Sequence, residues 1–406
     1  MKVLILGGGA SGLMAALSAA EDGAAVTLVE RQGRVGRKLL ATGNGRCNLT
    51  NTGTDVSCYH GAVPEFVRPA LERFGVQQTL DFFRELGLLT VTEEGGKVYP
   101  LSDQASSVLD VLRFAAEQRG VNMACSMDIV EVKKKARGYE AVSAEGEKFF
   151  GDKLIVCCGG CAGKRLGGVK SGYALLGQLG HSCTALYPSL TQIKTDPTWV
   201  RALKGIRADA HISLRRGARI LQETAGELQF TDFGVSGPTA FALSRAASTG
   251  GDGLTLVLDF FREYSAEELS AFLRARRKNF PRLPAEDLLS GSVQSRLGRM
   301  LLKRTGIEMT RPLAEVPDAQ IMELCKLSKQ FALEVLGVMG FENAQVTAGG
   351  VNVSEFCSDT LESRLAPGVF AAGEVLDIDG DCGGFNLQWA WSSGHLAGKL
   401  GKGVAV

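Results

Sequence analysis

Apolar residues open the chain in a short unbroken run at 2–6, the pattern of a strand buried on both faces, and then give way to glycine. An Ala/Leu-rich stretch at 13–20 predicts a helix, and a second apolar run at 25–29 predicts another buried strand. Phe66, Val67, Leu71, Phe74, Leu80, Phe82, Phe83 and Leu86 recur at helical spacing, with a break at Gly75, and predict a pair of helices. Ser102 and Asp103 are placed to cap a further helix that runs to Gln118 and buries Val108, Leu109, Leu112 and Ala115. Short alternating runs between turns over 121–150 predict a small antiparallel meander. The apolar run at 153–158 then predicts a strand ending at Gly159 and Gly160, and 173–179 a short helix.

The pattern changes character near residue 187. Strand-like runs at 190–194, 209–214 and 254–260 are followed by helical periodicity at 266–277, 284–305 and 317–336. These predict an inserted domain over 187–344, β-rich at 187–262 and helical at 263–344, set between 1–186 and 345–406 of a discontinuous first domain. Residues 369–375 return to a buried strand, and a glycine group at 380, 383 and 384 precedes a helix starting at Phe385.

Composition narrows the classes. The chain of 406 residues exceeds what one core usually serves, which favours two or three domains. Lys and Arg total 45 against 44 Asp and Glu, a formal net charge of +1, so no global field holds nucleic acid or an anionic membrane. Basic clusters at Arg201, Lys204, Arg207, Arg215, Arg216 and Arg219, and at Arg274, Arg276, Arg277 and Lys278, lack interleaved aromatics. They read as a solvated face or an anion pocket before nucleic acid. Ten dispersed cysteines point to reduced thiols in the cytoplasm and to no metal site. The uncharged stretch from Val3 to Ala20 is interrupted by Gly7, Gly8, Gly9 and Gly12, which argues against a membrane span or signal peptide and for a soluble protein.

Glycine, at 51 residues, is roughly twice as common as the usual level of about 7%. Its first cluster carries the chemistry. Gly7, Gly8, Gly9, Ala10, Ser11 and Gly12 fit G-x-G-x-x-G between a strand and a helix. Gly7 suits a tight turn, Gly9 allows backbone to approach a pyrophosphate, and Gly12 permits close packing, while the helix start presents N–H groups and positive dipole to the anion. Glu30, at the end of the second strand, is placed to accept from a ribose 2′-hydroxyl. An adenine dinucleotide is thereby implied, with NAD and FAD both open. The basic, amide-rich loop that follows could meet phosphates, with Thr42, Asn44 and Asn48 candidates for the polar edge of a flavin. At the other end, the helix beginning at Phe385 would aim N–H groups at a ring that gains negative charge, with Glu374 beside sugar hydroxyls. His60, His181, His211 and His395 form no catalytic spacing, and no acid or base stands out.

The fingerprint, Gly36-Arg37-Lys38-Leu39, Thr42 to Asn48, Phe230 to Pro238, Thr347 to Val351 and the Gly373 to Gly394 block together resemble the YhiN/BaiN-type flavoproteins, also called the aminoacetone-oxidase-like family. The likeness runs nearly the whole chain in the same order. It implies an α/β fold: a Rossmann-like FAD-binding domain of glutathione-reductase type with an inserted β-barrel-like plus helical second domain. It implies FAD held by Gly7, Gly9, Ala10, Ser11, Gly12, Glu30, Arg31, Lys38, Thr42, Gly43, Asn44, Cys47, Ile129, Gly159, Gly160, Gly373, Glu374, Gly384, Asn386 and Leu387. The inserted domain would roof the flavin, and Arg46, Asn48, Ser236 and Thr347 are candidates for the wall facing a small-molecule substrate. Cys47 falls near the flavin, and a thiol role shared with Cys382 stays open. With one good G-x-G-x-x-G, any NAD(P)H visits transiently. The reaction class is FAD-dependent oxidoreduction, with an NAD(P)H-dependent enone reductase, a flavin amine oxidase, or an FAD-containing protein whose basic inserted domain binds RNA or another macromolecule as the readings left open.

Overall fold

The computed structural model describes residues 1–401, which divide into two compact units, one of residues 1–187 with 345–401 and the other Pro188–Ala344. In the first unit five strands form a sheet in the spatial order Val369–Ala371, Lys153–Val156, Lys2–Leu6, Ala25–Val29, Asn122–Ala124, all parallel. Leu4 lies between Leu154 and Thr27, and Val3 to Leu6 are buried, so the apolar run reflects a strand covered on both faces. Four of these strands deliver Gly7, Glu30, Cys157 and Ala372 to the carboxyl edge of the sheet, where ligands of open α/β sheets bind.

The helices Ala10–Glu21 and Phe385–Gly398 pack together on this sheet through small residues. A methyl group on Gly398 would come within 2.6 Å of the Ala15 carbonyl oxygen, and one on Gly394 would overlap that of Ser11. Close approach of the two backbones therefore requires glycine at both places. The meander is smaller than the expected 121–150: Ile129–Lys134, Tyr139–Ser143 and Lys148–Gly151 are antiparallel, while Asn122–Ala124 pairs with Ala25–Val29 as the edge strand of the parallel sheet. The helical pair around Gly75 is Arg68–Arg73 and Val76–Glu85. The helix assigned to a Ser102–Asp103 cap instead starts at Ala105 with no side-chain cap, because Asp103 takes a left-handed φ of 57° in the turn before it.

The second unit is a closed barrel with four helices of ten or more residues and a single turn at Pro197–Val200. Strands follow in the order Ile193–Thr195, Gly234–Ser236, Arg219–Phe230, Arg207–Arg216, Leu254–Asp259, Phe331–Val338, and the last pairs back to the first. Ile212, Leu214, Leu256, Leu258 and Phe331 fill its core. The helices are Pro238–Thr249, Ala266–Asn279, Ser295–Arg304 and Asp318–Lys329.

Three sequence expectations change here. The helix expected at 317–336 stops at Lys329, and Phe331–Val338 is a barrel strand: Phe331 and Leu333 are buried while Ala332 and Glu334 are exposed, a period of two. The stretch 263–344 is therefore not wholly helical. The helix expected at 284–305 is a single turn at Ala285–Asp287 followed by Ser295–Arg304. The twelve-residue strand Arg219–Phe230 has no counterpart in the sequence reading, since its largely exposed first two-thirds lack apolar alternation.

Candidate functional site

The glycine turn is tight at two positions and open at a third. Gly7 has φ of 101°, and a methyl group on it or on Gly12 would overlap the Cys157 or Gly7 carbonyl oxygen. Gly9 differs: a methyl group there would meet no atom within 4 Å. Gly9 precedes the helix Ala10–Glu21, which has no side-chain cap and no acidic residue in its first turn. The first-turn N–H groups of Ala10 and Ser11 therefore have no side-chain acceptor beside the open space at Gly9, an arrangement suited to a pyrophosphate. Ser11 is buried, with its hydroxyl turned to the Ala372 carbonyl at 3.4 Å.

Glu30 accepts the N–H of Gly8 on one oxygen and that of Gln32 on the other, both at 2.7 Å. Each oxygen keeps a second lone pair, so the carboxylate is fixed in place and still able to accept from a ribose. Arg31 donates to the Gly167 carbonyl at 3.2 Å. Ile129 is buried at a bulge in the meander, opposite Ser143. Gly159, φ 70°, borders open space.

Lys38 and Glu374, 336 residues apart, form an ion pair at 2.6 Å. The other Glu374 oxygen accepts the Thr347 N–H at 2.9 Å, and the Thr347 hydroxyl accepts from the Ala162 N–H at 3.0 Å. A methyl group on Gly160 would lie 2.5 Å from both Glu374 Oε1 and Thr347 Oγ1. Glu374 is therefore a clamp that joins three segments beneath the site. Thr347 is fully buried within that clamp, which departs from its expected substrate-facing place.

The loop 42–48 is the most contorted stretch. Gly43, Asn44, Gly45 and Cys47 have φ of 56°, 57°, 88° and 63°. Two non-glycine residues in left-handed backbone within four positions mark a conformation held by its surroundings. Thr42 donates to the Leu39 carbonyl at 2.6 Å. Cys47 is buried, and burial pushes its thiol up to about 12. Arg46 pairs with Glu93 at 2.6 Å and with Asp103, and its guanidinium lies 4.0 Å over Tyr99. Its partners hold it charged and fixed, so it anchors the loop. Asn48 Oδ1 is buried with no hydrogen-bond partner.

Opposite this loop, Gly384 (φ 106°) starts the helix Phe385–Gly398, which also lacks a side-chain cap. A methyl group on Gly384 would come within 2.6 Å of the Thr50 carbonyl and 2.9 Å of Asn48 Oδ1. Asn386 is spent on its own loop, accepting from Gly380 N–H at 2.8 Å and donating to the Gly380 and Asp381 carbonyls. Leu387 is half-buried in the first turn. Gly373, φ 77°, donates to Ser393 Oγ, and its carbonyl accepts from the Trp389 indole. Ser236, in the second unit, is buried in a barrel strand ahead of Gly237.

The C-terminal helix also carries an internal polar network. Gln388 is fully buried; Thr50 donates to it at 2.5 Å, and it donates to Thr79, Ser392 and the Phe74 carbonyl. A Gln and two Ser among Trp and Leu were its signal. Tyr173 gives no such signal in the sequence: its hydroxyl is buried beside the clamp, and burial raises its pKa far above the usual tyrosine range.

The ten cysteines are all free, and burial pushes Cys158 up to about 12, so Cys157 and Cys158 act as small apolar groups behind Gly7. Among the described residues no group of His, Cys, Asp and Glu is arranged to hold a metal, and no helix is long and apolar enough to cross a membrane. The basic clusters are largely engaged: Lys204 pairs with Asp232, Arg207 with Glu227, and Arg274 and Arg277 share Asp318.

The open Gly9 turn, the fixed Glu30 carboxylate and the uncapped helix start at Gly384 fit the pyrophosphate, ribose and ring of FAD. Comparison with known proteins agrees. The HI0933-like protein Rossmann domain family matches residues 1–400. A 3-dehydro-bile acid delta(4,6)-reductase of Clostridium scindens is 41% identical over 403 residues, covering 98% of each chain. Ribosomal RNA dihydrouridine synthases of Escherichia coli and Haemophilus influenzae are 28% and 26% identical, over 96% and 97% of this chain and 95% and 96% of theirs. The chain belongs to the HI0933-like family and is an FAD-dependent oxidoreductase.

Proposed function

We propose that the protein reduces a carbon–carbon double bond conjugated to a carbonyl in a small organic substrate, with NAD(P)H as a visiting electron donor. The observation that carries this reading is the 41% identity, along 98% of both chains, to a reductase named for the delta(4,6) unsaturation of a 3-dehydro bile acid. A 3-oxo group next to such unsaturation makes an enone. Uracil, the base behind the name of the more distant relatives, has its C5–C6 double bond conjugated to a ring carbonyl in the same way. Both ask for a hydride at the carbon remote from the carbonyl and a proton at the near one.

FAD, when bound, supplies that hydride at its N5 position. The chain's own share is binding and electrostatics. The Gly7–Gly12 turn and the N–H groups of Ala10 and Ser11 would hold the pyrophosphate, and Glu30 the adenosine ribose. The uncapped first turn at Phe385 favours negative charge placed before it, which eases reduction of a ring lying there. The Lys38–Glu374–Thr347 clamp fixes the segments on which these groups sit. The ten unpaired thiols suit a reducing cytoplasm.

The reading is tested by anaerobic mixing. NADPH or NADH should bleach the bound flavin, and a 3-oxo steroid with 4,6 unsaturation should restore its colour in single turnover. Restoration by uracil-containing ribosomal RNA and not by enones would move the substrate to the nucleobase. Bleaching by aminoacetone with return of colour only on adding oxygen would replace the reductase with an oxidase. A flavin that none of these reduces would favour an FAD-containing binding protein.

A further inference from the structure

The second unit holds a cavity of about 660 Å³, and every residue that lines it falls within Pro188–Ala344. Sites that take small organic molecules commonly measure roughly 300–1,000 Å³. The walls come from the start of the strand Arg207–Arg216, from 260–264 with the first turns of the helix Ala266–Asn279, and from 291–297 at the head of the helix Ser295–Arg304. Phe260, Phe261, Leu269 and Leu297 are buried, whereas Tyr264 and Phe272 line the same cavity while 58% and 46% exposed. Two large rings left in water beside an apolar floor mark a surface that a ligand covers.

These walls are fixed from behind. Lys329 donates to Asp259 at 2.8 Å and to the Phe261 and Tyr264 carbonyls at 2.9 and 2.5 Å, which holds the segment 259–264. Arg262 donates to Asp209 at 2.8 Å and ties that segment to the neighbouring strand. Phe260 packs on Phe230 and Phe331 in the barrel core, with ring centroids 6.4 and 5.7 Å apart. A wall ordered beforehand loses little freedom on binding.

Charge then selects the class of ligand. Arg207, Asp209, Arg262, Glu263 and Glu268 are the charged residues of the lining. Arg262 lies between Asp209 and Glu263, Arg207 pairs with Glu227 at 3.5 Å, and Glu268 accepts the Ser265 N–H at 2.8 Å. Each already has a partner, so an ionised group on a ligand would be desolvated without a counter-charge of its own. Donors do remain. Gln294 Oε1 accepts from the Arg296 and Leu297 N–H groups, which orients the amide and leaves its NH2 to donate, and the half-buried Ser292 hydroxyl lies on the same wall.

We propose that this cavity is a binding site for an uncharged, mainly apolar ring compound carrying an accepting oxygen, such as an aryl ketone. The aromatic walls supply the area and the ring faces against which a flat molecule packs, and Gln294 and Ser292 supply donors for its oxygen. The site asks nothing of the first unit, so it stands or falls independently of the FAD reading.

The test is equilibrium dialysis of the full chain against prodan, an uncharged naphthyl ketone whose emission moves to shorter wavelength in apolar surroundings. One saturable site per chain is expected, with blue-shifted emission from the bound probe. Anilinonaphthalene sulfonate, of similar ring size but with a fixed negative charge, should bind at least tenfold more weakly. Removing the flavin should leave prodan affinity unchanged. Phe272→Ser takes away an exposed ring of the cavity and should weaken binding about tenfold. Phe280→Ser takes away a comparably exposed ring at the end of the same helix, outside the cavity, and should change nothing. Absence of saturable uptake overturns the proposal, and so does uptake that Phe272→Ser leaves intact or that Phe280→Ser weakens equally. Equal or tighter binding of the sulfonate overturns the uncharged class, and loss of prodan binding with the flavin overturns the placement within the second unit.

Discussion

Helices begin in two ways in this molecule. In the second unit, Ser265 accepts from Glu268 N–H while Glu268 reaches back to Ser265 N–H, and Gln294 accepts from the N–H groups of Arg296 and Leu297. Those helices satisfy their own ends. In the first unit, the helices starting at Ala10 and Phe385 follow Gly9 and Gly384 and receive no side-chain cap. Capping contributes about 1 kcal/mol, so leaving it out at two long helices has a cost that a ligand can offset when it supplies the missing acceptor. Uncapped starts occur in the second unit too, at Pro238 and Asp318, so a missing cap marks a binding end only where a second feature joins it, as the open space beside Gly9 does at Ala10.

The largest effect should come from filling the space the first turn keeps open. A methyl group on Gly12 would overlap the Gly7 carbonyl, so Gly12→Ala forces strand and helix apart. The expected outcome is a loss of about 3 kcal/mol and protein isolated without flavin. Calorimetry and the flavin absorbance of the purified variant check it, and a variant of unchanged melting temperature carrying a full complement of FAD would show that the turn is not as tight as described.

How much of this could be read beforehand follows from range. The turn at 7–12 and Glu30 are neighbours in sequence, and strand, glycines and helix appear in order, so local pattern sufficed. The Lys38–Glu374 pair spans 336 positions, and nothing in the spacing of either residue says that they meet. The left-handed run through Asn44 and Cys47 depends on packing that two glycines alone do not disclose. Phe331–Val338 was hidden because it follows a true helix after one residue, Gln330, and its first apolar residues continue the helical spacing by accident. Of the loop's polar residues, all read as equal candidates in the sequence; only burial and hydrogen bonding separate Asn48 from the rest.

A pH effect of similar size should belong to the first unit alone. His395 lies in the last turn of the C-terminal helix, stacked on Phe74 at 4.3 Å, and burial lowers its pKa to about 4, with Lys399 adding to the effect. An unfolded histidine titrates near 6.5, so between about 6.5 and 4 the unfolded chain binds more protons, and stability is lost as the pH is lowered through that window. Above 6.5 this contribution is fully present; below 4 it is gone. The expected loss across the window is about 3 kcal/mol at most. Denaturant unfolding of the first unit at stepped pH, with His395→Phe as comparison, checks it: the variant should have a flatter profile, and an equal slope in both proteins would assign the loss to other groups.

Glu30 should come next. Its carboxylate holds the Gly8 and Gln32 N–H groups as well as the place for a ribose, so Glu30→Ala removes support from both chain and cofactor. A loss of about 2 kcal/mol in FAD binding, roughly thirtyfold in affinity, is expected, and Glu30→Gln should lose less because an amide oxygen still accepts. Titration of the apo variants with FAD, followed by quenching of flavin fluorescence, gives both numbers.

The smallest effect tests the comparison most directly. Ser265→Ala removes a cap from a helix of the second unit and should lower that unit's stability by about 1 kcal/mol, leaving FAD affinity where it was. The matching experiment at the other kind of helix start is to add a cap. Gly9→Ser places a hydroxyl where a methyl group would meet nothing within 4 Å, so it should be tolerated by the fold and should supply the acceptor that the Ala10 helix lacks. If that helix start exists to bind an anion, the same change must raise or preserve the stability of the apo protein while weakening FAD binding, because hydroxyl and pyrophosphate then compete for the same N–H groups. Opposite signs in two assays on one variant are hard to obtain from general damage. A Gly9→Ser protein that loses both stability and affinity together would mean that the opening at Gly9 serves the backbone and not the cofactor, and the distinction between the two kinds of helix start would collapse.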